Sequence, residues 1–292
     1  MHAKTAFGRM LFIGLAAMMM AGTVCAENLL WKATSDQGTF YLLGSVHLLR
    51  ESDYPLDPAI ERAYVQCDAL VMEVDMEAMA SLEAQQQIIE KAMLSDGKTL
   101  AGELDTATHA MLTKALKAAG LSPDTYAPFK PWFVSAALEI KYMQKLGFDP
   151  KLGLEHYFHA KAIEDKKEQV GLESVEFQIN LFDSLSNNNA NHYIQHALVE
   201  LEQMESMTDK MMSAWKEGDA AALDKLIRET FTDYPGMYER FVSDRSKAWR
   251  KKLLDMAEKD KTYLVVVGAA HLVGKDGLIE LIKADGFRIE QL

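Results

Sequence analysis

The chain has 292 residues, 49% of them hydrophobic, and a formal net charge of −12 at pH 7. That acidic balance, with no basic patch interleaved with aromatics, excludes nucleic acid and anionic lipid as expected partners. The length suits one large domain, or a domain carrying an insertion, and it can bury a full core without staples.

At the N-terminus, Lys4 and Arg9 flank the start of an apolar run, Met10 to Ala21, that is too short for a comfortable membrane span. Val24-Cys25-Ala26 follows with small residues. The expectation is a signal peptide over 1–26, cleaved near Ala26, and a periplasmic or secreted mature chain. Cys25 also raises a lipoprotein, although Thr23-Val24 matches a lipid-attachment site poorly. No later apolar run reaches spanning length. Cleavage leaves only Cys67, so no intrachain disulfide can form, and Cys67 reads as an inert thiol in an apolar-patterned helix.

In chain order, Leu29 to Thr34 and Thr39 to Ser45 read as strands joined by the turn-rich Ser35-Asp36-Gln37-Gly38. Ala59 to Gln66 reads as a helix, and Ala69 to Met72 as a short strand ending on Glu73-Val74-Asp75. This succession predicts a parallel pair with a right-handed crossover, which would seat Glu73 beside the strand that delivers His47. Met76 to about Gly120 reads as helical, with Asp105 opening the stretch to Ala118. Pro131 opens a helix to Leu146, and Gly147 stops it. A helix from His156 to Asp165, a strand from Glu168 to Leu172 and a helix from Val175 to Leu185 follow. After the polar Asn187-Asn188-Asn189, a long helix runs from Asn191 to about Lys216, with Leu198, Leu201, Met204, Met207, Met211 and Trp215 on one face. Two more helices, the second from Arg245 to Glu258, lead to a strand at Tyr263 to Val267, a helix at Asp276 to Ala284 and a strand at Phe287 to Ile289. The expected class is α/β (α+β): a central mixed sheet built from N- and C-terminal βαβ-like units around a large helical middle. Residues 27–292 would form one domain, with helical insertions at about 76–150 and 175–260.

Two stretches echo each other. Thr39-Phe40-Tyr41-Leu42-Leu43-Gly44-Ser45-Val46-His47-Leu48 and Thr262-Tyr263-Leu264-Val265-Val266-Val267-Gly268-Ala269-Ala270-His271-Leu272 each run Thr, aromatic, apolar run, Gly-x-x-His-Leu. Unbroken apolar runs suit strands covered on both faces. Ligands of open α/β sheets bind beyond the carboxyl ends of the strands, so His47 and His271 are candidates for one site. A single Gly-x-x-His is equally compatible with a strand-end turn and a half-buried histidine; the repetition is what argues for function.

Acids end or follow several strands. Glu73 is the first choice for a metal ligand or general base, with Glu155, Glu173 and Asp75 behind it; any of them also suits a solvated cap. Two histidines and a carboxylate form a ligand set for a catalytic divalent metal. Arg245, at the start of the helix leading to the second histidine strand, is a candidate for oxyanion stabilisation or a surface ion pair. The pairs His156/His159 and His192/His196 share helix faces but enclose no acid, and they read, like His109, as surface or core residues. Walker, Rossmann and Gly-x-Ser-x-Gly patterns are missing from the sequence. Ser45 is read as pointing away from His47, which argues against a Ser–His nucleophile.

Gly44-Ser45-Val46-His47, the stretch ending Glu73-Val74-Asp75, Gly153-Leu154-Glu155, Gly171-Leu172-Glu173-Ser174 and Gly268-Ala269-Ala270-His271-Leu272-Val273-Gly274 together resemble the TraB/GumN family of pheromone-shutdown proteins, related to the Tiki metalloproteases. The likeness covers nearly all of the mature chain. It implies a metal-dependent, peptidase-like site with manganese or cobalt, zinc being a further option. His47 and His271 would be central, Glu73 the paired carboxylate, and Glu155, Glu173 and Arg245 supporting members. Glu155 and Ser246 depart from the family's usual Asp and Asn. The expected function is an exported metal-dependent hydrolase acting on a peptide or small-molecule substrate. The alternatives are a non-catalytic periplasmic protein binding haem, metal or peptide, and a small-molecule esterase. The oligomeric state is left open.

Overall fold

The computed structural model describes residues 28–292 apart from 96, 188 and 233, so the expected signal peptide lies outside the described residues. Among the described residues a single sheet has six strands: β1 (Leu30–Thr34), β2 (Thr39–Ser45), β3 (Ala69–Val74), β4 (Glu168–Glu173), β5 (Thr262–Gly268) and β6 (Arg288–Gln291). Their spatial order is β4-β3-β5-β2-β1-β6. The expected mixed sheet with strands from both ends of the chain is therefore present. β4, β3, β5 and β2 run parallel, while β1 is antiparallel to both β2 and β6.

The two echoing stretches are the central neighbours β2 and β5. They pair in parallel with Thr39 opposite Thr262 and Phe40 opposite Tyr263, and the two rings stack with centroids 5.7 Å apart. Their apolar runs are buried on both faces, as continuous hydrophobicity without alternation requires. One expectation is corrected here. β3 does not lie beside β2; β5 sits between them. The local strand–helix–strand succession cannot reveal an intruding partner from the far end of the chain. Glu73 consequently borders the strand of His271, not that of His47.

The helical middle carries a core of its own. Leu112, Leu116, Val134, Leu138, Ile194 and Leu201 are buried together, separately from the cluster around the sheet. The long helix Ala190–Lys216 ties the two together. Its first half gives Leu198, Leu201 and Met204 to the helical cluster, and its last turns give Met211 and Trp215 to the sheet cluster. Trp215 Nε1 donates to the Gly44 carbonyl at 2.8 Å, pinning this helix to the end of β2.

Helix ends follow their caps. Asp105 accepts from Thr108 N–H, Asn189 from His192 N–H, and Pro131 occupies the first turn of Pro131–Lys145. The stretch expected to be helical from Met76 to Gly120 is split into Met76–Ala80, Leu82–Ala92, Leu100–Glu103 and Thr106–Ala119. Ser81 ends one helix and caps the next, because its hydroxyl accepts from Ala84 N–H. Apolar periodicity also missed the π-helical turn Glu239–Ser243, which runs into helix Asp244–Ala257 just before Arg245. Among the described residues no helix is long and apolar enough to cross a membrane.

Candidate active site

Four parallel strands finish on one sheet edge, and each delivers a side chain there. In sheet order these are Glu173 from β4, Glu73 from β3, His271 just past β5 and His47 just past β2. A cavity of about 480 Å³ opens over this edge, lined by His47, Glu73, Glu155, Arg245, Gly268 and His271 among others. Five of the six expected site residues therefore meet in one cavity. The sixth, Glu173, stands behind Arg245. Asp75 is excluded from the site, since it accepts from Glu77 and Ala78 N–H as the cap of helix Met76–Ala80.

Gly268 marks the point of convergence. A Cβ placed there would stand 3.1 Å from Glu73 Oε1, 3.6 Å from His271 Cδ2 and 3.9 Å from His47 Nε2. The missing side chain keeps the cavity floor open, and the Gly268 N–H donates to Glu73 Oε1 at 2.8 Å.

Arg245 is the hub. Its Nη2 donates to Glu73 Oε2 at 2.6 Å and to Glu173 Oε2 at 2.8 Å, and its Nε donates to Glu173 Oε1 at 2.9 Å. Its Nη1 donates to the Phe241 carbonyl and to His271 Nε2, both at 3.1 Å. The guanidinium lies over the Trp249 ring, one helical turn on, with 4.7 Å to the centroid. All three charged side chains are about nine-tenths buried. The fork geometry of arginine is what lets one cation serve two carboxylates at once.

His271 has a defined tautomer. Ser246 Oγ donates to the Val242 carbonyl at 2.9 Å, so it accepts from His271 Nδ1–H at 3.0 Å. Nε2 is then the bare lone pair that Arg245 Nη1 meets. Burial holds this imidazole down, to about 4, and the charges of Arg245 and His47 act in the same sense against the opposing pull of Glu73. His271 is therefore neutral at pH 7. Glu73 is held low, at about 2: burial alone would raise it, but His271 (charged only in acid), Arg245, His47 and the Gly268 N–H together outweigh burial. A carboxylate held that low is a weak base, which favours Glu73 as a ligand or charge holder over the general-base role.

His47 differs in setting. Its side chain is 62% exposed, and its Nδ1 lies 2.8 Å from Glu155 Oε1. The Glu155 carboxylate raises this imidazole, to about 9, although water at the open face screens part of that pull. Glu155 is itself buried, and although burial raises its pKa, His47 and the Ser45 hydroxyl bring it down. Ser45 Oγ donates to the same oxygen, Glu155 Oε1. The expectation that Ser45 and His47 point apart is thus corrected. They are two positions apart, not adjacent, and both reach Glu155, so Ser45 orients an acid and is not placed as a nucleophile. Gly153 makes this contact possible, since a Cβ on it would lie 2.2 Å from the His47 carbonyl oxygen. Gly153→Ala is expected to lose about 1–3 kcal/mol, because the blocking atom is backbone. Its urea midpoint and the NMR shifts of His47 would both move.

A second expected result concerns pH. The His271 pKa is lower folded than unfolded, so the unfolded chain binds the extra proton. The His271 contribution to the stability of the metal-free protein should then be fully present above about 6.5 and be lost as pH drops toward about 4, while the buried Glu139, raised to about 7, acts in the opposite sense over the same window. Glu73 adds a further loss only below its ordinary carboxylate range. Denaturation midpoints from pH 7 to 4 check this, and His271→Asn should remove its share of the slope.

Four neighbours were given no place in the site by the sequence reading, although Ser246 and His156 were named in it. Ser246 follows Arg245 directly, and Trp249 lies four residues on, so helical spacing was the available signal. Gln178 Nε2 donates to Glu73 Oε2 and Glu173 Oε2, both at 3.4 Å, and had no signal beyond its place on an amphipathic helix. His156, expected to play a surface or core role, is exposed and lines the cavity. The other doubtful histidines stay outside: His159 meets Gln169, His192 meets Tyr234, and His196 meets Glu200.

The fit to a divalent ion can be tested on these contacts. His47 Nε2, Glu73 Oε1 and His271 Nε2 are suitable N and O donors, and each group is oriented by a further hydrogen bond, as metal ligands are. His271 Nε2 and Glu73 Oε1 lie 3.9 Å apart. Arg245, however, already donates to His271 Nε2 and Glu73 Oε2, and among the described residues no cluster of three His, Cys, Asp or Glu is arranged to hold an ion. The donor chemistry fits, on two conditions: an ion on His271 Nε2 requires Arg245 Nη1 to give up that lone pair, and an ion on His47 Nε2 requires that raised imidazole to release its proton.

Fold and site together define an α/β protein whose paired Gly-x-x-His strands converge on an arginine–diglutamate clamp. The chain belongs to the TraB/PrgY/gumN family, which matches residues 29–291. It is 24% identical over 251 residues to the uncharacterized protein YbaP of Escherichia coli (strain K12), covering 84% of this chain and 88% of that one. YbaP of Shigella flexneri is also 24% identical, over 250 residues, covering 83% of this chain and 87% of that one. An uncharacterized protein of Treponema pallidum (strain Nichols) is 19% identical over 273 residues, covering 88% of this chain and 80% of that one. No solved structure matches.

Proposed function

We propose that this chain is an exported, metal-dependent hydrolase with peptidase-like chemistry. The observation that carries the reading is the meeting of His47 Nε2, Glu73 Oε1 and His271 around the open floor at Gly268. These three residues would hold a divalent ion, manganese or cobalt by family resemblance and zinc by donor chemistry, and the ion would supply a Lewis acid to the substrate carbonyl. Arg245, fixed by Glu173, would take up negative charge developing on the substrate oxygen through the Nη1 N–H that leaves His271 Nε2 when the ion binds there. Glu155 would keep the His47 ring oriented toward the cavity.

The test is metal analysis of protein purified from its own compartment without chelators, combined with a peptide-library digest. Absence of any metal dependence, with His47→Ala and His271→Ala matching wild type, ends the reading. N-terminal sequencing of the exported protein should find Glu27 first. The tie of Arg245 to His271 Nε2 favours one second reading, a binding protein in which the same histidines hold a peptide without turnover, the exposed His47 imidazole meeting an anionic group. Tight peptide recovery with no cleavage would select it.

A further inference from the structure

Beside the site cavity lies a second cleft of about 300 Å³, lined by residues that include Trp132, Phe133, Ala137, Ile140, Ile179 and Phe182. Gln178 contributes the one side-chain amide in that lining. The two spaces adjoin: Met79, Ile140, Gln178 and Phe182 line both. Gln178 marks the junction, because its amide reaches the Glu73 carboxylate and the residue also lines the cleft.

This wall is aromatic and in part open to water. Phe182 stacks on Trp132 with centroids 6.1 Å apart and meets Phe241 edge-on at 5.8 Å. Ile140 is 43% exposed and Phe182 44%, so large apolar side chains stand uncovered beside a polar site. Exposed apolar surface of this kind marks a binding surface more often than chance. An apolar cavity of about 150 Å³ already takes up benzene. A cleft twice that size takes an aromatic side chain and part of its backbone.

We propose that this cleft is the subsite for one large apolar side chain of a polypeptide substrate, belonging to a residue beside the bond held over Gly268. The proposal rests on the hydrolase reading for its substrate. Gly268 and Gln178 bond the two oxygens of one carboxylate, Glu73, and an extended chain advances roughly 3.3–3.6 Å per residue, so the junction lies within a few residues of a bond held over Gly268. The strongly acidic chain argues against an anionic membrane as the occupant.

The experiment compares two matched sets of fluorescent peptides, with Phe or Ala at each position, against wild type, Ala137→Trp (cleft filled) and Phe182→Ala (wall removed). Both cleavage and binding anisotropy are read, and folding is checked by thermal melts. In wild type, Phe at one position is expected to raise kcat/KM, and affinity, by at least about 10-fold over Ala. In both variants that ratio should collapse toward one. Cleavage with no side-chain preference overturns the subsite and leaves the hydrolase standing. Phe-dependent binding lost on filling the cleft, with no cleavage, supports the subsite and overturns the hydrolase. No binding and no cleavage overturns both. A changed oligomeric state in Ala137→Trp, with the Phe preference intact, assigns the cleft to a second copy of the chain and overturns the subsite.

Discussion

Arg245→Met is expected to cost about 3–5 kcal/mol of folding stability, the loss seen when one partner of a buried ion pair is removed. The reason is the company Arg245 keeps. Glu73 and Glu173 are both buried, and this guanidinium donates to each of them. Without it two carboxylates stand side by side in a poorly solvated pocket, and the pKa of Glu73 must rise. Arg245→Lys should recover only part of the loss, because an ammonium cannot present a planar fork to two acids. Combining Arg245→Met with Glu73→Gln and Glu173→Gln should restore most of it, since no charge is then left buried unpaired. Denaturant midpoints of the three variants decide the matter. A single-variant cost below about 1 kcal/mol, the range of a surface pair, would contradict the clamp.

The other large effect is on turnover. His47→Ala and His271→Ala should each lower kcat by about 10²- to 10⁴-fold on a peptide that wild type cleaves, the range for losing a positioned acid–base or ligand group. Their stabilities should separate them. His47 is mostly exposed and anchored at one nitrogen, so His47→Ala should lose less stability than His271→Ala, its cost being the ion partner taken from the buried Glu155. His271 is buried against Trp249, with ring centroids 4.2 Å apart, and is bonded at both nitrogens, so His271→Ala should also destabilise. Glu155→Gln should fall between, at about 10- to 100-fold, because it acts through the orientation of His47. Equal activity across His47→Ala, His271→Ala and wild type would remove both histidines from the chemistry.

Much of the site was legible before folding was considered. The Gly-x-x-His echo works because each half is a local device: an apolar run for a covered strand, a glycine to end it, a histidine three residues on. Glu73, Glu173 and Glu155 were legible because strand ends and helix starts are local too. The roles were less legible. Glu73 suited both ligand and base until its neighbours were known, and the Ser45 hydroxyl gained a partner only when the first turn of helix Leu154–Glu164 was brought to the end of β2. Gln178 carried no mark in the sequence.

Periodicity, capping residues and glycine placement, all short-range quantities, determined the strands, most of the helices and the edge on which both histidines must fall. The order β3-β5-β2, the burial of Arg245 between two acids and the placing of an apolar cleft beside the site cavity were decided by tertiary structure alone. These depend on contacts between residues more than a hundred positions apart, such as Glu73 with Arg245 and Gly44 with Trp215, which no local window contains.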